Sequence, residues 1–574
     1  MHTRPRRGVS HAMAEEHAAS ERYDLILVHP PFLLMRDAIP TCPIPWNLGH
    51  VGSVSYIGKY PVGPSWTSAP MGLTTMRNYV QAKSDFRVDI QNLAALRYAP
   101  PAWAHRKYHA QARGDWSVLT DLAEATQYGR TREIVRRMHT ALFGVDLHWV
   151  VYAQGALETL RLIKELHPES LTLLGGFTAS YFAEELIQSY PFLDFVIVGD
   201  GSVPLLRLLE EINGSQRYGD VPNLVYREDG RLRRGPRAVL NDAALVEGDP
   251  EVSDSVPLGR GCSLSCITCG GSHPAMPTVA TWDRPVPYRV ESIMQKLLRA
   301  TRHSRDLGVF LIHDPLITLG RATWESLMEE IRRSGLPTNF LIEFFAPHAK
   351  EDVYRIARML PGSFIQISPE SMDEEARALH KNLRYSNADL IATMDAILDT
   401  GELSLAVWFM AGLAKDSKLS VDATLAFVRE YYGRIDDVQK NMLMYNEMMF
   451  IDPGSLAFQD PTLYGYRLTK RTLAEHAEAF ALPFFKHHLT YETAALSRDA
   501  LFDLFLYMHD QMNVIYRDVG VLRPEHYARV SRYNALLRKY EPRYDAALSI
   551  ASPPARTREF MTLGTEFREE LASA

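Results

Sequence analysis

Three of the chain's four cysteines lie within eight positions, in the segment LGRGCSLSCITCGGSHP at 258–274. They are Cys262, Cys266 and Cys269, which gives a C-x3-C-x2-C spacing. Thiolates bind soft and borderline metals, and gaps of two or three residues let one loop place several sulfurs around one centre. The segment therefore predicts a metal centre built on a single loop.

Three interpretations of this loop are open. Three buried cysteines without a ligand are disfavoured, because the clustering is tight in a chain with so few thiols. A zinc site would use His273 as a fourth ligand, but zinc sites usually combine two separated ligand pairs and the sequence has no second pair. A [4Fe–4S] cluster held by three cysteines would leave one iron with an open coordination position. We favour this third interpretation, because the loop follows the first strand of a predicted barrel.

Composition and charge exclude several classes of protein. A chain of 574 residues should divide into several domains, and its 46% hydrophobic and 23% charged residues are ordinary for a globular protein. The net charge of −7 gives no reason to expect nucleic acid or an anionic membrane as partner. No apolar run is long enough to span a bilayer. Residues 1–22 lack the apolar core of a signal peptide and are expected to be a disordered tail. So few cysteines fit a reducing, cytoplasmic setting.

The first half of the chain alternates short apolar runs with amphipathic segments, a pattern typical of βαβ units. This alternation predicts a doubly wound domain over 23–213, with long insertions at 32–70 and 95–145. Its predicted strands are 23–31, 86–94, 149–155, 171–176 and 194–202.

The alternation restarts after a predicted linker at 214–254, which carries a hairpin around Asp229-Gly230. Residues 255–459 are predicted to form a partial barrel of six β/α units. Residues 460–574 are predicted to be mostly helical. The predicted barrel strands are 255–260, 307–315, 338–346, 363–370, 403–413 and 438–448.

Glycines follow two strands of the predicted doubly wound domain and open the next helices. They are Gly175 and Gly176 in GGFTAS, and Gly199 and Gly201 around Asp200 in GDGSVP. Glycine allows close approach of the backbone to a ligand, and helix N-termini favour anionic groups. We therefore expect these five residues to bind a cofactor at the carboxyl edge of the sheet, although plain tight turns would use the same residues.

The cysteine spacing, on the loop after a first barrel strand, resembles the signature of the radical SAM superfamily. The resemblance implies that Cys262, Cys266 and Cys269 ligate a [4Fe–4S] cluster. It also implies that the open iron chelates the amino and carboxylate groups of S-adenosylmethionine (SAM), whose cleavage gives a 5′-deoxyadenosyl radical. A one-electron reductant of the flavodoxin or ferredoxin type would supply the electron.

Other strand ends carry weaker parts of the same resemblance. HDP at 313–315 ends the second strand, where the family has a GGEP-like motif on the methionine amino group, so His313 and Asp314 are candidates. Glu370 in SPES ends the fourth strand and is a candidate for the SAM ribose, or else a charge at a helix N-terminus. Gly412 in FMAGL ends the fifth strand, where the family brings backbone against the adenine.

The predicted doubly wound domain resembles the B12-binding domain of cobalamin-dependent radical SAM proteins. The shared motifs are VHPP at 28–31, LGGFTAS at 174–180 and LDFVIVGDGS at 193–202, and with the barrel the resemblance covers about 23–460. Ordinary B12 domains offer cobalt a histidine in a D-x-H-x-x-G motif. Here Asp146 and His148 lack the glycine, so His148 is expected to be structural. The lower axial position would then be empty, hold water or take another side chain.

The resemblance implies a cobalamin-dependent enzyme that methylates an unactivated carbon of a small molecule. It also implies that the enzyme acts in secondary metabolism. No catalytic side chain is assigned. An alternative within the family is rearrangement or cyclisation without methyl transfer. An alternative of a different class is a structural protein whose cysteine loop is stapled by zinc.

Overall fold

The computed structural model describes residues 23–36, 56–57, 60–61, 71–94, 127–239, 255–303, 309–336, 340–438, 440–446 and 449–573. The predicted tail at 1–22 and most of both predicted insertions lie outside these residues.

A seven-stranded sheet forms the N-terminal domain. Its order is β2-β1-β3-β4-β5-β6-β7, with β1 to β5 parallel and β6 and β7 antiparallel at one edge. Since β2 lies on one side of β1 and β3 on the other, the strand order reverses at β1, and ligands of such sheets bind at that point. The strands are β1 Tyr23–His29, β2 Val88–Asn92, β3 Thr140–Asp146, β4 Leu171–Gly175, β5 Phe195–Ile197, β6 Leu224–Glu228 and β7 Arg231–Arg234.

Helices cover both faces of this sheet, because successive side chains of a strand point to opposite sides. Leu25 and Leu27 of β1 belong to one buried cluster, and Ile26 and Val28 belong to another. The domain is therefore doubly wound, as predicted. The helices are α1 Met71–Lys83, α2 Gln127–Arg137, α3 Ala153–Leu166, α4 Phe177–Tyr181, α5 Ala183–Ser189 and α6 Ser202–Ile212.

Two elements of this domain differ from the sequence prediction. The third strand is Thr140–Asp146, inside the predicted insertion, whereas the predicted strand 149–155 is a 3-10 turn that leads into α3. Both segments are apolar and β-branched, so composition alone does not separate them. The hairpin predicted within the linker does form, but as β6 and β7 it extends the sheet, and it buries Leu224, Val225 and Tyr226.

A second sheet of six parallel strands follows, in the sequential order β8 to β13. Helices lie between the strands, and all six strands coincide with predicted ones, which confirms the partial (β/α)6 barrel. The strands are β8 Ser255–Pro257, β9 Val309–Ile312, β10 Phe340–Phe344, β11 Phe364–Glu370, β12 Ser404–Met410 and β13 Met442–Asn446. The helices are α7 Met276–Val279, α8 Val290–His303, α9 Pro315–Thr318, α10 Arg321–Ser334, α11 Lys350–Met359, α12 Glu374–Lys381, α13 Asn387–Asp399, α14 Lys418–Tyr432 and α15 Leu456–Gln459.

The C-terminal region is mostly helical, as predicted. Its described residues also include a short antiparallel strand pair, 466–468 with 491–493. Its helices are α16 Leu473–Phe480, α17 Arg498–Asp518, α18 Pro524–Leu548 and α19 Pro553–Ala572. Among the described helices, none combines the length and the apolar character needed to cross a membrane.

Candidate functional site

The three cysteines lie on the loop that follows β8, at the carboxyl edge of the barrel, where such barrels carry their active sites. All three residues are half-buried. The Leu264 N–H donates to Cys262 Sγ at 3.4 Å, and the Gly271 N–H donates to Cys269 Sγ at 3.3 Å. Backbone N–H groups directed at sulfur favour its anionic form, which is the form that binds metal.

Backbone contacts from two distant segments fix the shape of this loop. The Ile267 N–H donates to the carbonyl of His380, at the end of α12, at 2.9 Å. The Ala457 N–H donates in turn to the Ile267 carbonyl at 2.8 Å. The loop is therefore held between the end of α12 and the first turn of α15.

Asp452 contributes a side chain to the same clamp. Its carboxylate accepts from the Gly270 N–H at 3.1 Å, and its own N–H donates to the Thr268 carbonyl at 3.0 Å. A Cβ at Gly270 would lie 2.9 Å from Asp452 Cβ, so glycine is the residue that fits beside the third cysteine.

The zinc and iron–sulfur hypotheses require different distances between the cysteine sulfurs. Zinc binds thiolate at about 2.3 Å, so sulfurs around one tetrahedral zinc lie roughly 3.8 Å apart. Within the described residues, the three cysteine sulfurs do not all lie within 4.8 Å of one another, and neither do any two of them together with His273. His273 is also exposed. The sulfurs of these described residues are therefore not gathered around a single zinc position.

A buried lysine is the principal charge beside the loop. The Lys381 ammonium, at the end of α12, lies 3.1 Å from a carboxylate oxygen of Glu370. Burial raises the pKa of the Cys262 and Cys266 thiols, the latter to about 11, and the charge of Lys381 opposes this rise at both. Lys381 therefore places a positive charge near Cys262 and Cys266, which favours the thiolate form of both.

A second carboxylate faces the same lysine. Glu343 is the one half-buried residue of β10, whose other residues are fully buried, and Gln366 Nε2 on the neighbouring strand donates to it at 3.3 Å. Desolvation raises the pKa of Glu343 to about 7, while the charge of Lys381 and the backbone N–H of His313 lower it. Opposite charges thus line one patch of the barrel edge.

Several buried polar atoms around this patch have no hydrogen-bond partner among the described residues. They include His313 Nδ1, Tyr385 Oη and Ser272 Oγ. His313 and Glu370 also have left-handed backbones, with φ of 79° and 64°, which costs about 1–3 kcal/mol for such residues. Unpaired polar groups and backbone strain at one edge are what a site for a polar cofactor requires, so the residues fit the cluster and SAM that the resemblance implies.

Asp314 and Gly412, two of the predicted SAM contacts, are engaged elsewhere. Asp314 caps α9 through the N–H groups of residues 316 and 317, and its second oxygen accepts from the Phe345 N–H at 2.9 Å and from His348 Nε2 at 2.7 Å. Gly412 has φ of 92°, and a Cβ there would lie 2.6 Å from Tyr491 Oη. The structure thus gives Asp314 a capping role and packs Gly412 against the C-terminal region.

The predicted glycines of the N-terminal domain divide into two groups. Among the described residues, no heavy atom lies within 4 Å of the position of a Cβ at Gly175, so the end of β4 borders space that these residues leave open. Gly176 has φ of 111°, and a Cβ there would lie 2.7 Å from the Leu147 backbone. Gly175 therefore lines the crevice at the carboxyl edge of the sheet, and Gly176 allows the tight turn beneath it.

The second glycine group contacts the barrel. A Cβ at Gly199 would overlap the Thr281 side chain, and the Asp200 carboxylate pairs with Arg260, two residues before Cys262. The Arg260 guanidinium lies 4.2 Å from the centre of the Trp282 ring. A Cβ at Gly201 would lie 2.5 Å from Met76 Sδ. The motif predicted to bind a cofactor thus joins the two domains.

His29 and Asp146, at the ends of β1 and β3, form a pair that sequence reasoning missed. The His29 Nδ1 to Asp146 Oδ1 distance is 2.8 Å. His148, expected to be structural, packs its ring 4.1 Å from that of Phe177 and 4.6 Å from that of Trp149. Burial lowers the pKa of His148 to about 4, so its ring is neutral.

A further group of potential metal ligands lies in the C-terminal helices. Asp499, Glu541 and Asp545 each offer an oxygen within 4.8 Å of the others. The buried Lys486 ammonium lies 2.8, 2.5 and 2.7 Å from these three carboxylates. The three carboxylates are ion-paired with Lys486, so this group connects α17 and α18.

Comparisons with known proteins agree with the fold. No family model matches the chain. Cytidylyl-2-hydroxyethylphosphonate methyltransferase of Streptomyces wedmorensis is 24% identical over 370 residues, 55% of this chain and 60% of that protein. Anaerobic magnesium-protoporphyrin IX monomethyl ester cyclase of Rubrivivax gelatinosus is 21% identical over 390 residues, 62% of this chain and 65% of that protein. The chain thus spans less than two thirds of the length of these relatives.

A solved structure matches over more of the chain. The radical SAM methyltransferase TsrM of Kitasatospora setae, with cobalamin and a [4Fe–4S] cluster bound, has a TM-score of 0.54 at 13% identity. The match covers 96% of this chain and 100% of that one, so the order of the domains is shared. In fold and in sequence the chain is therefore similar to the cobalamin-binding radical SAM proteins, and the family resemblance predicted from its cysteine loop is confirmed.

Proposed function

We propose that the protein is a cobalamin-dependent radical SAM enzyme that methylates an unactivated carbon of a small molecule. The observation that carries this proposal is that the cysteine loop meets the carboxyl edge of the N-terminal sheet. A Cβ at Gly271, two residues after Cys269, would lie 3.3 Å from the Phe177 ring and 3.8 Å from the Trp149 ring. Phe177 opens the helix that follows β4, so the cluster loop and the cobalamin crevice border one gap.

Cys262, Cys266 and Cys269 would hold the cluster. Lys381 fits the carboxylate of SAM, because its ammonium is buried beside the cysteines and is oriented by Glu370. Glu343 fits the SAM amino group as an acceptor for its N–H, because its carboxylate faces the same patch and is held by Gln366. This assignment replaces Asp314, whose oxygens are already engaged.

When bound, the cluster and SAM supply a 5′-deoxyadenosyl radical, and cobalamin supplies the methyl group. The chain's own part is to hold these groups at one gap and to exclude water from it. The Asp200–Arg260 pair and the Gly199–Thr281 contact fix the two domains against each other. Trp149, which is 37% exposed, offers an aromatic face beside the cysteine loop for a substrate.

The substrate class rests on the relatives. The phosphonate methyltransferase acts on a small molecule by its name, and TsrM has been solved with a tryptophan substrate. We propose a small-molecule substrate of secondary metabolism, a flavodoxin or ferredoxin as electron donor, no nucleic-acid partner and a cytoplasmic location.

Cyclisation or rearrangement is the second candidate function. The observation that favours it is the match to the monomethyl ester cyclase, which extends over 62% of this chain. The same cluster and SAM residues would serve that reaction. The two candidates differ in whether SAM also serves as a methyl donor.

The test begins with anaerobically purified and reconstituted protein. We expect iron and sulfide in equal amounts, and slow formation of 5′-deoxyadenosine from SAM with dithionite. With reduced cobalamin and SAM, we expect S-adenosylhomocysteine to form together with methylcobalamin. 5′-deoxyadenosine without S-adenosylhomocysteine would favour cyclisation. A colourless protein that contains one zinc would contradict both candidates.

A further inference from the structure

The crevice of the N-terminal domain holds one histidine directed by a carboxylate. His29 ends β1 and Asp146 ends β3, and the two strands are paired with Val28 beside Val145. This is where the strand order of the sheet reverses. Ligands of doubly wound sheets bind outside the strand ends at that reversal.

The hydrogen bond fixes which nitrogen of His29 is free to bind. An ionised carboxylate only accepts, so His29 Nδ1 carries the proton in its 2.8 Å contact with Asp146. In the neutral ring the lone pair is then on Nε2. The His29 and Asp146 side chains are only 13% and 15% exposed, and the Tyr152 ring lies 5.2 Å from the imidazole. The ring is therefore held in one orientation, as the carboxylate holds a metal-binding histidine.

Other side chains near these strand ends have packing or hydrogen-bond partners of their own. His148 is packed between Phe177 and Trp149. The Gln154 side-chain amide accepts a hydrogen bond from the Leu34 N–H and donates one to the Leu34 carbonyl. Within the described residues, the barrel contacts the end of β5 at Gly199, whereas no heavy atom lies within 4 Å of a Cβ at Gly175, at the end of β4.

We propose that His29 is the protein-side axial ligand of cobalt when cobalamin occupies this crevice, and that Asp146 is its positioning residue. Neutral imidazole is a common ligand of transition metals. The proposal rests on the proposed function only in that cobalamin must bind. Of the three expectations for the lower axial position, it selects a side chain other than His148 over an empty position or water.

Electron paramagnetic resonance of cob(II)alamin tests this directly. Full-length protein is loaded with hydroxocobalamin, reduced, and compared with protein grown on ¹⁵N-histidine. An axial nitrogen splits the cobalt lines, and ¹⁴N gives a triplet where ¹⁵N gives a doublet. We expect a triplet in the unlabelled protein and a doublet in the labelled one. A triplet that survives labelling would identify the benzimidazole of cobalamin as ligand, and unsplit lines would indicate water or no ligand. Either result would overturn the proposal.

Variants identify the histidine. His29→Gln and His29→Ala should lose the splitting, and Asp146→Ala should reduce the ligated fraction. The control variant, His139→Ala, changes an exposed residue just before the start of β3 and should keep the doublet of the labelled protein. His148→Ala should also keep the doublet, and its loss there instead would overturn the assignment to His29. Failure of the wild-type protein to retain hydroxocobalamin would contradict the proposed function itself, and the inference with it.

Discussion

The Lys381 ammonium lies 3.1 Å from Glu370 Oε2, and both side chains are buried next to the cysteine loop. The two residues belong to one β/α unit, at the end of β11 and the end of α12. A buried cation with a single close carboxylate can accept a second anion without leaving its partner. This arrangement supports the proposal that Lys381 binds the carboxylate of SAM.

Replacement of Lys381 should weaken SAM binding. Lys381→Met keeps the length of the side chain but removes the charge, so we expect the dissociation constant to rise about 10- to 100-fold, as for the loss of a buried charged hydrogen bond. Equilibrium dialysis with labelled SAM on the reconstituted protein measures this. The control is Lys415→Met, which removes a half-exposed ion pair with Glu375. Equal affinity in both variants would show that Lys381 does not contact SAM.

SAM binding should depend on pH through Glu343. Burial raises its pKa to about 7, so the carboxyl is mostly neutral at pH 6 and mostly ionised at pH 7.5. Because the ionised form is the stronger acceptor for the N–H of the SAM amino group, affinity should rise roughly eightfold over this interval, in proportion to the ionised fraction of Glu343. Glu343→Gln should bind more weakly and flatten the profile. A profile that keeps its slope in this variant would assign the dependence to another group.

Asp200→Ala should destabilise the protein strongly. The change leaves the Arg260 guanidinium buried between the domains without its partner, which costs about 3–5 kcal/mol. Chemical unfolding followed by circular dichroism measures the loss. The double variant Asp200→Ala/Arg260→Met should recover part of it, because the unpaired charge is removed. If the double variant is as unstable as the sum of the single ones, the pair is not coupled.

The cysteines and His273 should differ in their effect on iron content. Cys262→Ala, Cys266→Ala and Cys269→Ala each remove one of three cluster ligands, and we expect reconstituted iron to fall several-fold. His273→Ala changes an exposed side chain and should leave iron content unchanged. Metal analysis and the visible absorbance of the cluster measure both. Loss of bound metal in His273→Ala would revive the zinc hypothesis.

The two glycine groups should respond differently to an added methyl group. Gly199→Ala places a Cβ on Thr281 at a positive φ and should cost about 1–3 kcal/mol. Gly175→Ala meets open space and should unfold like the wild type, but its methyl group enters the crevice and should weaken cobalamin binding. Thermal unfolding and retention of hydroxocobalamin after gel filtration separate the two effects. Equal melting temperatures would argue against the domain contact at Gly199.

Sequence reasoning found the barrel because buried parallel strands are continuous apolar runs between helices, and LSLAVWFM is an example. It misplaced the third strand of the first domain because TALFGVD and WVVYAQG are both short, mostly apolar segments. What separates them is tertiary: Leu142 and Val145 pair with both β1 and β4. A local pattern does not contain that information.

The same limit applies to the site. The three cysteines are close in sequence, so their spacing was visible. Lys381 had a signal, since it closes the helix that follows Glu370, but a lysine at the end of a helix is ordinary. Asp452 reaches Gly270 across 182 positions of sequence, and His29 reaches Asp146 across 117. Such pairs are created by the fold and have no local signature.

The clamp on the cysteine loop has a consequence for biosynthesis. Its last hydrogen bonds come from Asp452 and Ala457, at the far end of the barrel. A chain still being made on the ribosome carries all three thiols long before it carries the residues that shape them. The cluster pocket is thus completed after the last barrel strand, so delivery of iron and sulfide to the finished pocket is a late event in the life of the chain.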